Sequence, residues 1–139
     1  AISILARAET IYLIARRRSF PIVTYMSYAF GKLKVPCRLV STAIGNDDDL
    51  LAQATAADAA FAVSFSPYAA ESAAQARALN ERGIAVVGLT DSALSPLAAG
   101  AAVWFELVEA DHAGFRSLSA SMALAMALTV GVAERRRQA

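Results

Sequence analysis

Residues 59–68 read AAFAVSFSPY, an apolar run that ends in two serines and a proline. An unbroken apolar run of this length is typical of a strand buried on both faces of a parallel sheet. Proline suits the first turn of a helix, where its missing N–H is no loss, and a preceding serine can accept a hydrogen bond from the exposed backbone donors. The stretch therefore predicts a strand, a turn and a helix start in succession.

The same arrangement of serine before proline recurs at Ser19-Phe20-Pro21 and at Ser95-Pro96-Leu97. Strands are predicted over residues 11–15, 37–40, 59–64, 85–89 and 102–106. Helices are predicted over 20–33, 48–56, 67–82 and 114–136, with a short helix near 95–99 and a helix already under way over 2–9. Alternating strands and helices of this kind favour an α/β fold, a three-layer αβα sandwich around a five-stranded parallel sheet.

Composition limits the classes of protein that the chain can belong to. Its 139 residues fit one domain, and 57% of them are hydrophobic, with a mean hydropathy of +0.45. Cys37, the sole cysteine, excludes an internal disulfide, and the formal charge of +1 predicts no broad nucleic-acid surface. The stretch 117–133 is too short and too rich in alanine and serine to predict a membrane span, and no secretion signal opens the sequence. A cytoplasmic protein without a membrane partner is expected.

The turns after the first and third strands are the best candidates for a binding site, since ligands of such folds lie beyond the carboxyl ends of the strands. Residues 15–19, ARRRS, lack the G-x-G-x-x-G glycines of a dinucleotide site, so NAD and FAD are not expected, and no other cofactor or metal is predicted. Arg17 or Arg18 together with Ser19 could instead neutralise an anion, the alternative being a solvated basic loop. Ser64 and Ser66, two residues apart on one side of an extended chain, could surround a phosphate; the alternative is an ordinary helix cap.

Four short motifs, in this order, resemble the sugar isomerase (SIS) domain, and more narrowly the effector domain of RpiR-type transcriptional regulators. They are residues 17–21 (RRSFP), 64–68 (SFSPY), 95–98 (SPLA) and 114–118 (GFRSL). The resemblance implies a flavodoxin-like SIS fold over residues 11–139, with residues 1–10 as the end of a linker helix from an upstream region. It also implies a homodimer that senses a sugar phosphate, and DNA contact only through an upstream helix-turn-helix domain absent from this sequence.

By position, the family's phosphate contacts correspond to Ser19, Ser64 and Ser66. The sequence departs from the family pattern at Pro67, which stands where a glycine is usual, and at Ala69, which stands where a threonine is usual. The pocket is therefore expected to be remodelled, with an arginine neutralising the charge. Tyr68 would add an aromatic wall and a hydroxyl.

Aldose–ketose isomerisation needs a base and a partner that assists ring opening. The candidates in this chain are weak: His112 lies in a polar stretch typical of a solvated loop, Glu71 suits an early helix turn, and Asp91 suits a turn cap. The acidic run at 47–49 lacks the spacing of a calcium loop. The leading hypothesis is an effector-sensing, dimerising module that is not an enzyme. A sugar-phosphate isomerase and a pure dimerisation scaffold are the alternatives.

The final predicted helix is apolar nearly all round, which favours cover on both sides, by the sheet on one face and by a second subunit on the other. The alternative is a helix enclosed by its own domain.

Overall fold

A computed structural model describes residues 1–139, apart from the side chain at position 42. The main strands are β1 (Ile11–Ile14), β2 (Cys37–Val40), β3 (Ala59–Val63), β4 (Ala85–Thr90) and β5 (Val103–Glu106). They form one parallel sheet in the order β2-β1-β3-β4-β5. The order reverses at β1, so the turns after β1 and β3 meet at one edge of the sheet.

The helices are α1 (Ile2–Arg7), α2 (Phe20–Lys32), α3 (Asp47–Ala52), α4 (Ala70–Glu81) and α5 (Ser119–Arg137), with short 3-10 turns at Arg17–Ser19 and Thr42–Ile44. A small hairpin joins β5 to α5 and consists of β6 (Asp111–His112) and β7 (Phe115–Arg116). None of the helices in the described chain has the length and apolar character that crossing a membrane requires.

The sheet is covered on both faces, because alternate residues of each strand point to opposite sides. Leu13 and Phe61 belong to a core shared with α1, α2 and α5, whereas Tyr12, Ile14 and Ala60 belong to a second core against α3 and α4. The three-layer αβα sandwich predicted from the sequence is confirmed.

Three of the predicted helix starts, at residues 67, 95 and 114, are wrong. Pro21 does lie in the first turn of α2, but α4 begins at Ala70 rather than at Pro67. Residues 66–68 are instead drawn toward the end of β4, where the Asp91 carboxylate accepts hydrogen bonds from the Ser66 N–H and the Tyr68 hydroxyl. The helix predicted at 95–99 is also absent: the stretch forms turns, and the Ser95 hydroxyl accepts from the Leu97 N–H, a local bond that competes with helix formation.

The long final helix begins at Ser119 rather than at Gly114. Gly114 has a φ of +89° and follows Ala113 at +51°, so the chain reverses here and forms the β6–β7 hairpin. The Asp111 carboxylate accepts the Gly114 N–H at 2.7 Å and holds this turn.

Candidate functional site

Two neighbouring cavities open at the carboxyl edge of the sheet. The first, called here the serine cavity, has a volume of about 190 Å³ and is lined by Arg16, Arg17, Arg18, Ser19, Val63, Ser64, Phe65, Pro67 and Ala69. The second, called here the arginine cavity, has a volume of about 250 Å³ and is lined by Arg18, Phe65, Ser66, Asp91, Leu107, Val108, Glu109, Asp111 and Arg116. Arg18 and Phe65 separate the two cavities, and the Arg18 guanidinium lies 4.8 Å from the centre of the Phe65 ring.

The serine cavity brings Ser19 and Ser64 together, and both side chains are buried. The Ser19 hydroxyl, however, donates to the Arg16 carbonyl at 2.8 Å, with the Val63 carbonyl a longer 3.4 Å away. A hydroxyl carries a single proton, so this group has no donor left for an anion.

The three consecutive arginines point to different partners. Arg16 forms an ion pair with Asp47, the first residue of α3, at 2.9 Å. Arg17 is exposed and has a φ of +55°. It lines the serine cavity but not the arginine cavity. Arg18 is the one member of this run that faces both cavities.

Ser66 and Tyr68 surround a carboxylate of the chain itself. The Asp91 carboxylate accepts the Ser66 N–H at 2.9 Å and the Tyr68 hydroxyl at 2.6 Å. Desolvation alone would raise the pKa of Asp91, but these hydrogen bonds and the Arg18 charge outweigh it and lower that pKa. The pKa of Tyr68 is also raised, first by the hydrogen bond that its hydroxyl donates to Asp91, then by burial and by the Asp91 charge. The Ser66 N–H and the Tyr68 hydroxyl thus hold a carboxylate of the chain itself, whereas the hydroxyl of Ser66 is not part of this arrangement.

Arg116, on β7, is a site residue that the sequence reasoning did not assign. Its guanidinium donates to the Ser66 carbonyl, and the Arg18 guanidinium donates to the same oxygen at 3.3 Å. The Arg18 Nη1 atom is buried and has no hydrogen-bond partner. Desolvation and then the nearby Arg116 charge lower the pKa of Arg18, while Asp91 and two other carboxylates oppose that effect.

Those two other carboxylates, Glu109 and Asp111, are already engaged. Glu109 accepts the N–H groups of Ala120 and Ser121 at 3.3 and 3.0 Å and so caps the N-terminus of α5. Asp111 accepts from the hairpin and from Arg116 Nε at 3.4 Å.

Two of the three candidates for acid–base chemistry, His112 and Glu71, lie outside these two cavities, whereas Asp91 lines the arginine cavity. His112 is exposed on the hairpin, and Glu71 is exposed on the first turn of α4, beside a separate cavity of about 580 Å³ that Arg16 and Arg17 also line. Across the described part of the chain, no three His, Cys, Asp or Glu side chains are grouped to hold a metal ion.

Asp91 and Arg116 lie 25 and 50 residues from Ser66, which is why local patterns did not connect them with it. The signal available for Arg116 was the motif at 114–118, which carried the family resemblance without a role for the arginine.

The fold and the position of these cavities define an α/β domain of the SIS class. The chain belongs to the SIS domain family, whose model matches residues 4–131. No curated protein sequence matches it significantly.

Several solved structures share the fold. The sugar isomerase domain of an RpiR transcription factor from Sphaerobacter thermophilus has a TM-score of 0.90 at 20% identity, over 99% of this chain and 76% of that chain. The Vibrio vulnificus NanR protein complexed with ManNAc-6P has a TM-score of 0.83 at 20% identity, over 99% of this chain and 53% of that chain. Phosphoheptose isomerase GmhA from Neisseria gonorrhoeae has a TM-score of 0.73 at 15% identity, over 97% of this chain and 82% of that chain. The SIS fold is therefore common to regulators and enzymes.

Proposed function

We propose that this domain senses a phosphosugar or a related anionic sugar metabolite, as the dimerising effector domain of a cytoplasmic transcriptional regulator. The observation that carries the proposal is the pair of cavities at the strand ends, where Arg18 has a buried N–H group without a partner beside a second guanidinium. Hydroxyls of Ser64 and Ser66, with Arg17 at the rim, add polar groups at the same edge. Such a site suits a small polar ligand that carries a negatively charged group.

The regulatory part of the proposal is supported by fold similarity to an RpiR transcription factor and to NanR, the latter in complex with a phosphosugar. In this proposal DNA contact belongs to a helix-turn-helix domain outside the present sequence. Ligand binding would change the relative positions of the two attached DNA-binding domains, for which a coupling of about 1–3 kcal/mol is sufficient.

The engagement of the acidic groups favours sensing over catalysis. A base for isomerisation must be free to take a carbon-bound proton, yet Asp91, Glu109 and Asp111 all accept hydrogen bonds that hold the fold. The exposed position of Glu71, beside a cavity that Arg16 and Arg17 also line, favours the alternative, a sugar-phosphate isomerase.

Thermal unfolding with added ligands tests this proposal, since a ligand of the folded state raises its apparent stability. We expect ManNAc-6P, glucose 6-phosphate or another phosphosugar of a broad panel to raise the unfolding temperature, the unphosphorylated sugars to leave it unchanged, and no isomerised product to form. Formation of an isomerised product by the wild type, together with loss of that activity in Glu71→Gln, would favour the isomerase. A panel without any shift would favour a dimerisation scaffold.

The homodimer is proposed on the surface of α5. Its buried side packs on α1 and α2, whereas Ala123, Met126, Ala127 and Val130 are exposed on the other side. Small and apolar residues in one exposed row allow two helices to approach closely.

Light scattering on the wild type and on Val130→Arg tests the dimer. We expect twice the monomer mass for the wild type and the monomer mass for the variant, with Arg135→Glu, an exposed site off this row on the same helix, as the control. A monomeric wild type would contradict this part of the proposal.

A further inference from the structure

We infer that helix α5 couples the binding edge of the sheet to helix α1, through the hairpin before its start and through Gly131 and Arg136 near its end. The inference rests on the proposed function, in which the DNA-binding domain lies upstream, so that α1 is the element of this domain nearest to it in the chain. It assigns the contacts through which a bound ligand acts on α1.

The first contacts join the loop after β3 to the start of α5. Arg116, three residues before α5, donates to the Ser66 carbonyl, which also accepts from Arg18 at 3.3 Å. Glu109, just before the hairpin, accepts two N–H groups of the first turn of α5 at 3.3 and 3.0 Å. Hydrogen bonds of charged side chains, which are stronger than those of neutral ones, therefore connect the site loop, the hairpin and the start of α5.

A bound anion changes the charge balance at this junction. Desolvation and the Arg116 charge both lower the pKa of Arg18, although Asp91, Glu109 and Asp111 offset part of that effect. An anion on the turns after β1 and β3 lies beside Arg18, because Arg18 belongs to the first of these turns and lines both cavities. The anion therefore weakens the repulsion between the two guanidinium groups and favours the hairpin in its place on the loop after β3.

The second set of contacts joins the end of α5 to α1. The Arg136 Nη1 atom donates to the Ala6 carbonyl at 3.1 Å and to the Ala8 carbonyl at 2.8 Å, at and just after the end of α1. Carbonyls at a helix end have no intrahelical donors, so Arg136 satisfies groups that α1 cannot satisfy itself. At Gly131 a Cβ atom would lie 2.5 Å from the Ile2 Cδ1 atom, so the two helices approach as closely as a glycine allows.

Helix α5 is long enough to reach both regions. Its 19 residues span about 28 Å at a rise of 1.5 Å per residue. Leu128 and Val132 of α5 are buried in the same core as Leu5 of α1, and packed elements of this kind carry energetic coupling between distant sites. Such coupling is reciprocal: a ligand that strengthens the docking of α1 must itself bind more tightly when α1 is docked. A substitution at Gly131 or Arg136, neither of which lines either cavity, should therefore weaken ligand binding.

Calorimetric titration with inorganic phosphate and with each phosphosugar of the panel, glucose 6-phosphate and ManNAc-6P among them, tests the affinity part of this coupling. Hydrogen exchange of α1 and of the loop 63–69, with and without the same compounds, tests the response of α1. The variants are Arg136→Met, Arg136→Lys and Gly131→Ala, and thermal unfolding verifies that each is folded. Arg135→Met is the matched control, because it makes the same change at the neighbouring exposed position. Gly131→Ala favours the helical state of α5 while displacing Ile2, so it replaces Arg136→Met if that variant fails to fold.

In the wild type we expect a bound phosphosugar to slow amide exchange in α1 as well as in the loop 63–69. In Arg136→Met the loop should still respond, whereas the α1 response should be lost and the affinity should fall about fivefold. Arg136→Lys, which keeps a charged donor, should lose less, and Arg135→Met should behave as the wild type. A wild type that protects the loop but not α1, or an α1 response or wild-type affinity in folded Arg136→Met, would overturn the coupling and leave the proposed function intact. A wild type that binds no member of the panel would contradict the proposed function, and the coupling with it.

Discussion

The serine cavity and the arginine cavity share a wall, Arg18 and Phe65, and open at the same edge of the sheet, yet their polar groups are in different states. In the serine cavity the Ser19 hydroxyl completes backbone hydrogen bonds of the turn after β1. Arg18, in the wall that the two cavities share, retains a buried N–H group without a partner, and a second guanidinium, that of Arg116, lines the arginine cavity but not the serine cavity. A polar side chain at a strand end therefore indicates a binding site only where its donors are not already satisfied by the fold.

Replacement of Asp91 by asparagine should change the phosphate affinity and the stability of this region more than the other substitutions below. Removing a negative charge beside Arg18 should raise the affinity for inorganic phosphate about fivefold, which corresponds to about 1 kcal/mol for a screened charge pair. The free energy of unfolding should fall by about 2 kcal/mol, because the Ser66 N–H and the Tyr68 hydroxyl lose a charged acceptor. Calorimetry and denaturant unfolding measure the two effects, with Asp48→Asn, an exposed site on α3, as the control. Weaker binding in Asp91→Asn would mean that Asp91 assists the ligand instead of opposing it.

Replacement of Tyr68 by phenylalanine should lower the free energy of unfolding by about 1.5 kcal/mol at neutral pH, because the Asp91 carboxylate loses one donor. The pKa of Asp91 is lowered in the folded protein, so its stabilisation is complete above the ordinary aspartate pKa of about 3.9 and is lost as the pH falls through the lower folded value. The pKa of Tyr68 is raised in the folded protein, so the stabilisation that its protonated hydroxyl contributes is lost as the pH rises through a folded value above the ordinary 10.0.

Urea unfolding of Tyr68→Phe and wild type across pH measures this dependence, with Tyr28→Phe, an exposed tyrosine on α2, as the control. The gap between the two proteins should be widest at neutral pH and narrow in strong acid. A gap that is independent of pH would show that the hydrogen bond to the carboxylate is not its source.

Replacement of Ser19 by alanine should have the smallest effect. The free energy of unfolding should fall by about 1 kcal/mol, because the Arg16 carbonyl loses the hydroxyl donor and keeps only the Ser19 N–H. The affinity for inorganic phosphate should stay within about twofold of the wild type. Denaturant unfolding and calorimetry measure both quantities against Ser3→Ala, an exposed serine on α1. A tenfold loss of affinity would show that the Ser19 hydroxyl contacts the anion and would remove the contrast between the two cavities.

The strands and the fold class were accessible from the sequence because their physical cause is local. The run 59–63 is apolar on both of its faces, so it must be buried on both, and a parallel sheet with helices on two sides is the arrangement that achieves this. Pro21 was also interpreted correctly, since the chain after β1 enters α2 without a competing contact for the proline turn.

Pro67 shows where this local reasoning fails. It has the same serine–proline context, but Asp91, which is distant in sequence, holds the loop and moves the helix start to Ala70. The helix start predicted at Gly114 is wrong for a local reason: the positive φ angles of Ala113 and Gly114 reverse the chain before α5 begins. The division of the chain into a linker helix at 1–10 and a domain at 11–139 stays a prediction.

Period and composition by themselves determined the αβα layers, the parallel sheet and the edge of it at which polar side chains collect, because the spacing of apolar residues along each element fixes which of its faces must be buried. Tertiary structure alone decided which of those side chains kept free donors. The deciding partners are Asp91, which contacts the Ser66 loop from just after β4, and Arg116, which lies on the hairpin and lines the arginine cavity. Hydrogen-bond satisfaction depends on atoms within about 3 Å of one another, whatever their separation in the chain.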